Sequence, residues 1–410
     1  MENETKLGLV LLLILILTGL FFLETMSLFF RLLIGLGFGY VMARTSMGFA
    51  GGVNSLARTG SSNLASSLMI MFALTAIITA FFLYGNEMNY HLKINPINEG
   101  LLFGGLLFGF GMTFSSCCAT GSLMDLSGGF SRAIVSIIFL CFGVFIGFSV
   151  QSRAGFVKES YLTSTTGEMF QGGVFLPDLF RFDGFNGYLM ASIVTVALAI
   201  LFIVLAKKYE KNYLKKNKIP PMAQAQKNDS ASLSERIFIK PWKRRVSVVM
   251  VSLLFASLLF LYDKGWSASS AFGLWFAKVL MLFGMNSETI VYFTGRSASF
   301  INRPLFSDAT SVQNFAIILG AFFYLIIAGK FKNKFIQGLP ISKKDFLVYA
   351  FGGFIMGFGT RLSNGCNVGA LYTPIAEFSL SGWIYLVVVV IGGFLGHHVL
   401  NTYINKRCSI

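Results

Sequence analysis

Residues 105–123 read GLLFGFGMTFSSCCATGSL, and residues 353–371 read GFIMGFGTRLSNGCNVGAL. Aligned without a gap, the two stretches are identical at eight of 19 positions, among them Cys118 and Cys366. Each begins with an apolar segment in which G-x-x-x-G-x-G spacing lets another backbone pack closely. After the cysteine, each runs about a dozen residues to the next break, which at 1.5 Å per residue is ~18 Å, or half a bilayer. Each of the two stretches therefore predicts one short helix that dips toward the membrane centre, so that each half of the chain contributes one such helix.

The duplication extends beyond these stretches. Further matches stand at Phe130-Ser131 and Phe378-Ser379, with weaker ones at Tyr40 and Tyr292 and at Arg44-Thr45 and Arg296-Ser297. We predict a first membrane half with an extra connecting helix over 1–206, a basic linker over 207–245 and a second membrane half over 246–410. Duplicated segments interrupted by glycine at corresponding positions indicate a transporter site.

The composition predicts an all-α, polytopic membrane protein. Of the 410 residues, 55% are hydrophobic and 12% are charged, whereas a soluble domain carries about 25% charged residues. The apolar runs are continuous, which excludes the alternating pattern of an outer-membrane barrel. The predicted fold is two pseudo-symmetric halves of full transmembrane helices plus short re-entrant half-helices, with the first run retained as a helix. The candidate spans are 7–23, 28–43, 65–84, 99–114, 132–150, 187–206, 246–263, 271–285, 313–329, 345–360 and 383–403.

The charges predict the orientation. Residues 207–245 contain 12 Lys and Arg against three acids, so the positive-inside rule places them in the cytoplasm. Residues 330–344 are a second cytoplasmic candidate, and the charge-balanced segment 151–186 is expected outside. An even number of crossings must then separate the two basic segments, yet three candidates lie between them. Either one of these only dips into the membrane, or residues 286–312 hide another crossing. The net charge of +15 fits anionic lipid rather than nucleic acid.

The two cysteines are candidates for an anion site. A helix N-terminus offers free N–H groups and a positive dipole end, which favour an anion and a thiolate. We expect Ser115 and Ser363 to act as N-caps of the short helices. Thiols, amides and hydroxyls together suit a small sulfur-containing anion better than a hard cation or a sugar. The alternative is that Cys118 and Cys366 are small, packed apolar residues. The remaining candidates in these motifs are Cys117, Asn364, Gly121 and Gly369; Cys117 has no twin, so both packing and function stay open for it.

Three arginines in apolar surroundings are also candidates for the substrate pathway. They are Arg44 and Arg296, at matched places, and Arg361, shortly before the second cysteine. A charge inside the membrane is a functional candidate by default, and the alternative is a side chain that extends to the interface. The cysteine spacing fits neither zinc nor a disulfide framework, and no nucleotide-binding or hydrolase motif is present. The sequence thus predicts no metal, no cofactor and no enzymatic activity.

The duplicated G-F-G-x-x-x-S-x-x-C-x-x-G signature resembles the YeeE/YedE family of bacterial inner-membrane sulfur transporters, over 30–150 and 270–400. The resemblance implies an hourglass of full spans around central half-helices, and uptake of thiosulfate along cysteines by S–H hydrogen bonding. By motif, Cys118 corresponds to the central cysteine and Cys366 to its partner. The family's first motif carries a third cysteine after R-x-G-F, but residues 44–49 read RTSMGF. The family also implies a small cytosolic sulfur carrier of the TusA type as partner.

Three functions remain open. The first is a transporter for uptake of a small, thiosulfate-like anion across the bacterial inner membrane. The long basic linker resembles the YedE-like branch tied to selenium metabolism, so the second is transport of a selenium compound. The third is a membrane-embedded sulfurtransferase that forms a cysteine persulfide. Such a nucleophile needs an activating base, and neither cysteine motif contains His, Asp or Glu within three residues of Cys118 or Cys366.

Overall fold

The structure is a computed structural model that describes residues 2–217 and 239–405. The helices of the first half are α1 Glu2–Phe22, α2 Met26–Thr45, α3 Phe49–Thr59, α4 Asn63–Leu83, α5 Glu99–Phe114, α6 Ala119–Asp125, α7 Phe130–Arg153, α8 Gly155–Lys158, α9 Thr165–Phe170 and α10 Tyr188–Lys216. Those of the second half are α11 Arg244–Tyr262, α12 Ser269–Leu282, α13 Ser287–Thr294, α14 Ala298–Asn302, α15 Ala309–Ile327, α16 Phe331–Gln337, α17 Lys343–Leu362, α18 Thr373–Ala376 and α19 Leu380–Val399. A π-helical turn, Asn367–Tyr372, leads into α18.

The described residues confirm the predicted class of fold. They form an all-helical protein with 10 candidate membrane spans. Three of these spans join separate helices across a break: α2 with α3, α5 with α6, and α17 with the π-turn and α18. We call the last two, which carry the duplicated cysteine motifs, the two broken spans. Of the predicted spans, 271–285 alone corresponds to a shorter apolar helix, α12, of 14 residues. The chain is therefore a multi-pass membrane protein. The predicted linker falls largely on 218–238, outside the described residues.

The loops gather on two faces. On one face, which we call the linker face, residues 207–217 approach the membrane and the connection 328–342 meets the start of α7, where Ser131 Oγ donates to the Leu339 carbonyl at 2.6 Å. On the other, the loop face, 84–98 and 154–187 pack together, and Asn98 Nδ2 donates to the Glu159 carbonyl at 2.9 Å.

Helices α12 and α13 form a re-entrant hairpin, which explains how an even number of crossings separates the two basic segments 207–245 and 330–344. Helix α12 starts beside the loop-face end of α7, where Gly273 lies against the ring of Phe148. Helix α13 returns to the same end, where Gly295 contacts Ser152. Phe283, at the tip between them, is 86% exposed, as expected for a side chain that meets lipid. Two full crossings, α11 and α15, thus separate the basic segments. The first of the two sequence-based alternatives, a candidate that only dips into the membrane, is the one the structure adopts.

The two broken spans form the centre and run antiparallel. Helix α5 packs along α19, and α17 packs along α7, through matched glycines. A Cβ at Gly109 would lie 2.2 Å from the Val389 carbonyl oxygen, and one at Gly357 would lie 2.3 Å from the Leu140 carbonyl oxygen. Both contacts require bare backbone. Because α5 and α17 cross in opposite directions, the corresponding elements of the two halves are inverted relative to each other.

Candidate functional site

The break in each central span has the same backbone. Ser115 ends α5 and Ser363 ends α17 as C-caps, and each hydroxyl donates to the carbonyl four residues earlier, at 2.8 and 2.9 Å. The prediction that these serines are N-caps is therefore wrong. A serine at the end of a helix can satisfy one of its last free carbonyls, and here both do so. Ser116 and Asn364 then reverse the chain with φ angles of 58° and 57°.

The N-cap positions belong to the cysteines themselves. Cys118 caps α6, and its Sγ accepts a hydrogen bond from the Gly121 N–H at 3.3 Å. Cys366 stands at the same place before the π-turn. Each cysteine is only 1% exposed. The two thiols thus lie deep in the protein, each at the N-terminal end of a short helical segment, as the sequence predicts.

Tyr385 of α19 joins the two thiols. Its hydroxyl is buried and lies close to the Ser363 hydroxyl and within electrostatic reach of both Cys118 and Cys366. A hydroxyl at this place can donate a hydrogen bond to an anion that passes between the two thiols. The residue could not be identified from the sequence, because tyrosine in an apolar span usually marks an interface.

A cavity of about 420 Å³ opens on the loop face, and we call it the loop-face cavity. Four cations line it, with no Asp or Glu of the described chain among the lining residues: Lys93, Lys158, Arg296 and Arg361. Arg296 donates to Gln151, whose amide donates to Asn364. Both guanidinium groups lie over the ring of Phe148, at 4.3 and 5.2 Å from its centre. Such a cluster of positive charge attracts anions.

A second cavity, of about 410 Å³, opens on the linker face. Cys117, Cys118 and Gly121 line its inner end, and Asp125 and Arg132, paired at 2.5 Å, line its outer part. We call it the linker-face cavity. The segment without a cysteine, Met47-Gly48, also lines it.

Cys117 therefore faces the linker-face cavity rather than the core alone. Its Sγ lies 3.0 Å from Ser122 Oγ and donates to the Ser115 carbonyl at 3.2 Å. The site consequently has two thiols at this end of the route, although Cys117 has no counterpart in the second half.

Cys366 lies between the two cavities. It is within electrostatic reach of Lys93 and Arg361, which line the loop-face cavity, and of Cys118, which lines the linker-face cavity. Gly369, one turn further along, accepts a hydrogen bond from Asn95 Nδ2 at 3.2 Å through its carbonyl. The order across the protein is thus cations, Cys366, Cys118 and Cys117.

Lys93 is a residue of the loop-face cavity that sequence reasoning missed. It lies in the extended segment 90–98, and its Nζ comes within 3.5 Å of where a Cβ on Gly369 would stand. Its backbone N–H donates to Glu377 Oε2 at 2.6 Å. The one available signal was a lysine between the apolar residues Leu92 and Ile94, which the search for spans passed over because it lies outside every span.

The matched arginines have different surroundings. Arg296 lines the loop-face cavity, whereas Arg44 lies apart from both thiols and donates to the Lys240 carbonyl at 2.9 and 3.1 Å. The Arg44 guanidinium also lies 4.1 Å from the ring centre of Trp242. These contacts hold the chain that follows the linker against the end of α2. Arg44 is not among the residues that line either cavity.

Comparison with known proteins gives a consistent family. A family profile described as sulphur transport matches residues 44–395. The probable transporter YedE of Escherichia coli is 30% identical over 158 residues, which are 38% of this chain and 38% of that protein, so this match spans well under half of the relative's length. The thiosulfate transporter TsuA of Escherichia coli is 22% identical over 88% of this chain and 91% of that protein. TsuA of Spirochaeta thermophila is 24% identical over 88% of this chain and 96% of that protein.

Proposed function

This chain belongs to the sulphur transport family, and on that premise we propose that it carries a small sulfur-containing anion, thiosulfate or a close analogue, across the membrane. One observation carries the proposal: cavities on opposite faces approach the two buried thiols. Cys118 lines the linker-face cavity, and Arg361 and Asn364, which lie close to Cys366, line the loop-face cavity. Relatives named as thiosulfate transporters align over most of this chain, which supports thiosulfate as the first substrate to test.

The route begins in the loop-face cavity. Its four cations raise the local concentration of an anion and remove part of its hydration shell. The anion then meets Cys366 at the N-terminal end of the π-turn, where the free amides of the turn favour negative charge. A thiol donates a weak hydrogen bond and holds the anion without a deep energy minimum, so that passage to the next thiol is easy.

The second half of the route is formed by the other cysteine motif, the one that contains Cys118. Cys118 and the N-terminus of α6 repeat the same arrangement in the inverted half, and Cys117 follows at the linker-face cavity. N–H and S–H donors thus line the proposed route on both sides of the centre, and they can donate hydrogen bonds to an anion throughout the crossing. The substrate leaves unchanged.

The direction follows from charge. The positive-inside rule assigns the basic linker face to the cytoplasm, so transport from the loop face to the linker face is uptake through a bacterial inner membrane. Anionic lipid would contact the basic linker. A sulfur carrier of the TusA type would receive the substrate at the linker-face cavity.

A sulfurtransferase is less well supported. No histidine of the described residues lines either cavity, and Asp125, the carboxylate that lines the linker-face cavity with the thiols, is already paired with Arg132. The thiols accordingly lack the base that a nucleophile needs. A persulfide found on Cys118 by mass spectrometry would favour this second function over plain transport.

The test is growth of a bacterium deficient in sulfur uptake, with thiosulfate as sole sulfur source. We expect growth with the parent protein and loss of growth with Cys118→Ala and Cys366→Ala. Cys141→Ala is the matched control, because Cys141 is buried in the middle of α7 and lines neither cavity. Growth of both cysteine variants at the parental rate would refute the thiol route. If inserted parent protein gives no growth on thiosulfate, the selenium alternative is tested by selenium incorporation in the same cells.

A further inference from the structure

A buried carboxylate lies beside the proposed route. Glu377 occupies the turn between α18 and α19 and has no solvent-exposed surface. Its Oε2 accepts the backbone N–H of Lys93, and its Oε1 packs against the backbone of Gly265. An ionised carboxylate in such a place needs a nearby positive charge.

The Lys93 ammonium is that charge, and it has a second role. It acts electrostatically on Glu377 and on Cys366, and it reaches the π-turn beside Gly369, where the anion is proposed to bind. Lys93 thus stands between a fixed carboxylate and the site of a mobile anion. One ammonium cannot compensate a buried carboxylate and a bound dianion equally.

The other charged groups around Glu377 are weaker partners. Asp263 and Lys264, from the connection that contributes Gly265, are exposed, and so is His91 on the Lys93 segment. Arg361 acts on Lys93 from the loop-face cavity. Helix α4, which packs against α18, carries no titratable side chain.

We propose that Lys93 and Glu377 form a proton-coupling pair: when the sulfur anion binds at Lys93, Glu377 loses its counter-ion and takes up one proton from solvent. The proposal rests on the proposed function. The step balances, since a carboxylate and a proton give a neutral carboxyl, and the bound anion replaces the carboxylate as the partner of Lys93.

Two properties of the structure support this step. Burial raises the pKa of the Glu377 carboxyl above its usual range, against the opposing effect of Lys93, so protonation near neutral pH is accessible. A cavity of about 470 Å³ on the loop face, lined by Lys93 and Gly265, brings solvent close to the carboxyl.

The first consequence is a pH-dependent affinity. Thiosulfate is a dianion throughout the neutral range, so any proton taken up on binding goes to the protein. With one proton bound per anion, the Kd for thiosulfate falls by up to about tenfold for each unit decrease in pH. Coupled uptake would then also speed up when the loop-face side is acidified.

The experiment is calorimetric titration of the purified full-length protein with thiosulfate, at pH 8, in two buffers of different ionisation enthalpy, because Glu377, whose pKa is raised to about 7, is then mostly ionised before the anion binds. We expect close to one proton taken up per anion by the parent, and none by Glu377→Gln, which still binds. His91→Gln is the matched control at an exposed residue of the same segment, and it should keep the parental proton count.

The outcomes separate the two proposals. Equal proton uptake by the parent and Glu377→Gln overturns the coupling pair and leaves the transport proposal standing. Absence of thiosulfate binding by the folded parent overturns both. Should Glu377→Gln fail to fold, the Kd of the parent between pH 7 and 9, above the raised pKa of Glu377 of about 7, decides alone, and a constant value there overturns the coupling.

Discussion

Ser116 and Asn364 hold the same left-handed backbone conformation in opposite halves of the protein, with φ angles of 58° and 57°. Each stands two residues before a buried cysteine, Cys118 or Cys366, and turns the chain from the end of one helix into the next. This conformation costs an ordinary residue such as Ser116 about 1–2 kcal/mol, whereas asparagine adopts it more readily. The pair therefore sets where the two thiols lie.

The first prediction tests this turn. Ser116→Val should lower the free energy of unfolding by about 1–2 kcal/mol, because a β-branched side chain resists positive φ. Ser116→Gly should be neutral or slightly stabilising at the same position. Thermal unfolding of the two purified variants in one detergent gives the comparison. Equal unfolding temperatures would show that the left-handed turn imposes no strain.

The second prediction concerns the inverted pair of glycine contacts. Gly109→Ala and Gly357→Ala should each destabilise the protein by about 1–3 kcal/mol or prevent its insertion, because the added Cβ meets a carbonyl oxygen on the neighbouring helix. The control is Gly155→Ala, where the nearest atom, on Glu159, is 3.5 Å away. Yield of folded protein by fluorescence-detected size exclusion is the measurement. Stable Gly109→Ala and Gly357→Ala variants would contradict the close packing.

The third prediction separates the matched arginines. Arg296→Gln should raise the KM for uptake roughly tenfold, because it removes a cation from the loop-face cavity. Arg44→Gln should leave KM unchanged and lower stability, because Arg44 holds the Lys240 carbonyl instead. Uptake of labelled thiosulfate into liposomes, corrected for the amount of folded protein, measures both. A raised KM in Arg44→Gln would place that residue in the pathway after all.

Much of this site could be read from the sequence because the same chemistry occurs twice. Eight identities in 19 positions located Cys118 and Cys366, and the balance of charges required either that one of three candidate spans only dips into the membrane or that residues 286–312 hide another crossing. Both inferences use information that is repeated or summed over many residues, so a single unusual side chain does not change them.

What the sequence could not give depends on contacts between distant segments. Ser115 precedes one helix and follows another, so its hydroxyl had two possible backbone partners, and the three-residue turn chose the earlier carbonyl. Arg44 and Arg296 follow tyrosines at the same spacing, but only Arg44 meets a returning chain, at Lys240. Lys93 becomes part of the site because the segment 90–98 folds inward over Gly369. No local sequence pattern predicts this fold of the segment.

A fourth prediction concerns the loop that borders the loop-face cavity. Asp178 accepts hydrogen bonds from Ser164 Oγ, from the N–H and Oγ1 of Thr166, each at 2.7 Å, and from Arg181 at 2.6 Å. Burial alone would raise its pKa, but these hydrogen bonds outweigh burial and lower the pKa below its usual range. A carboxylate with a lowered pKa contributes stability above its unfolded pKa of about 3.9, and that stability is lost as the pH falls through the folded value.

Asp178→Asn should therefore loosen the loop at pH 7 and have little further effect in strong acid, where the parent carboxyl is protonated as well. Replacing charged by neutral acceptors costs about 1.5–3 kcal/mol locally. Limited proteolysis of 160–180 at pH 7 is the measurement, with Glu168→Gln as control, since Glu168 accepts a hydrogen bond from Thr163 Oγ1 at 3.1 Å in the exposed part of the same loop. Because Gln171 of this loop lines the loop-face cavity, faster cleavage of Asp178→Asn should come with slower uptake. Cleavage at the parental rate would mean that the Asp178 network does not hold the loop.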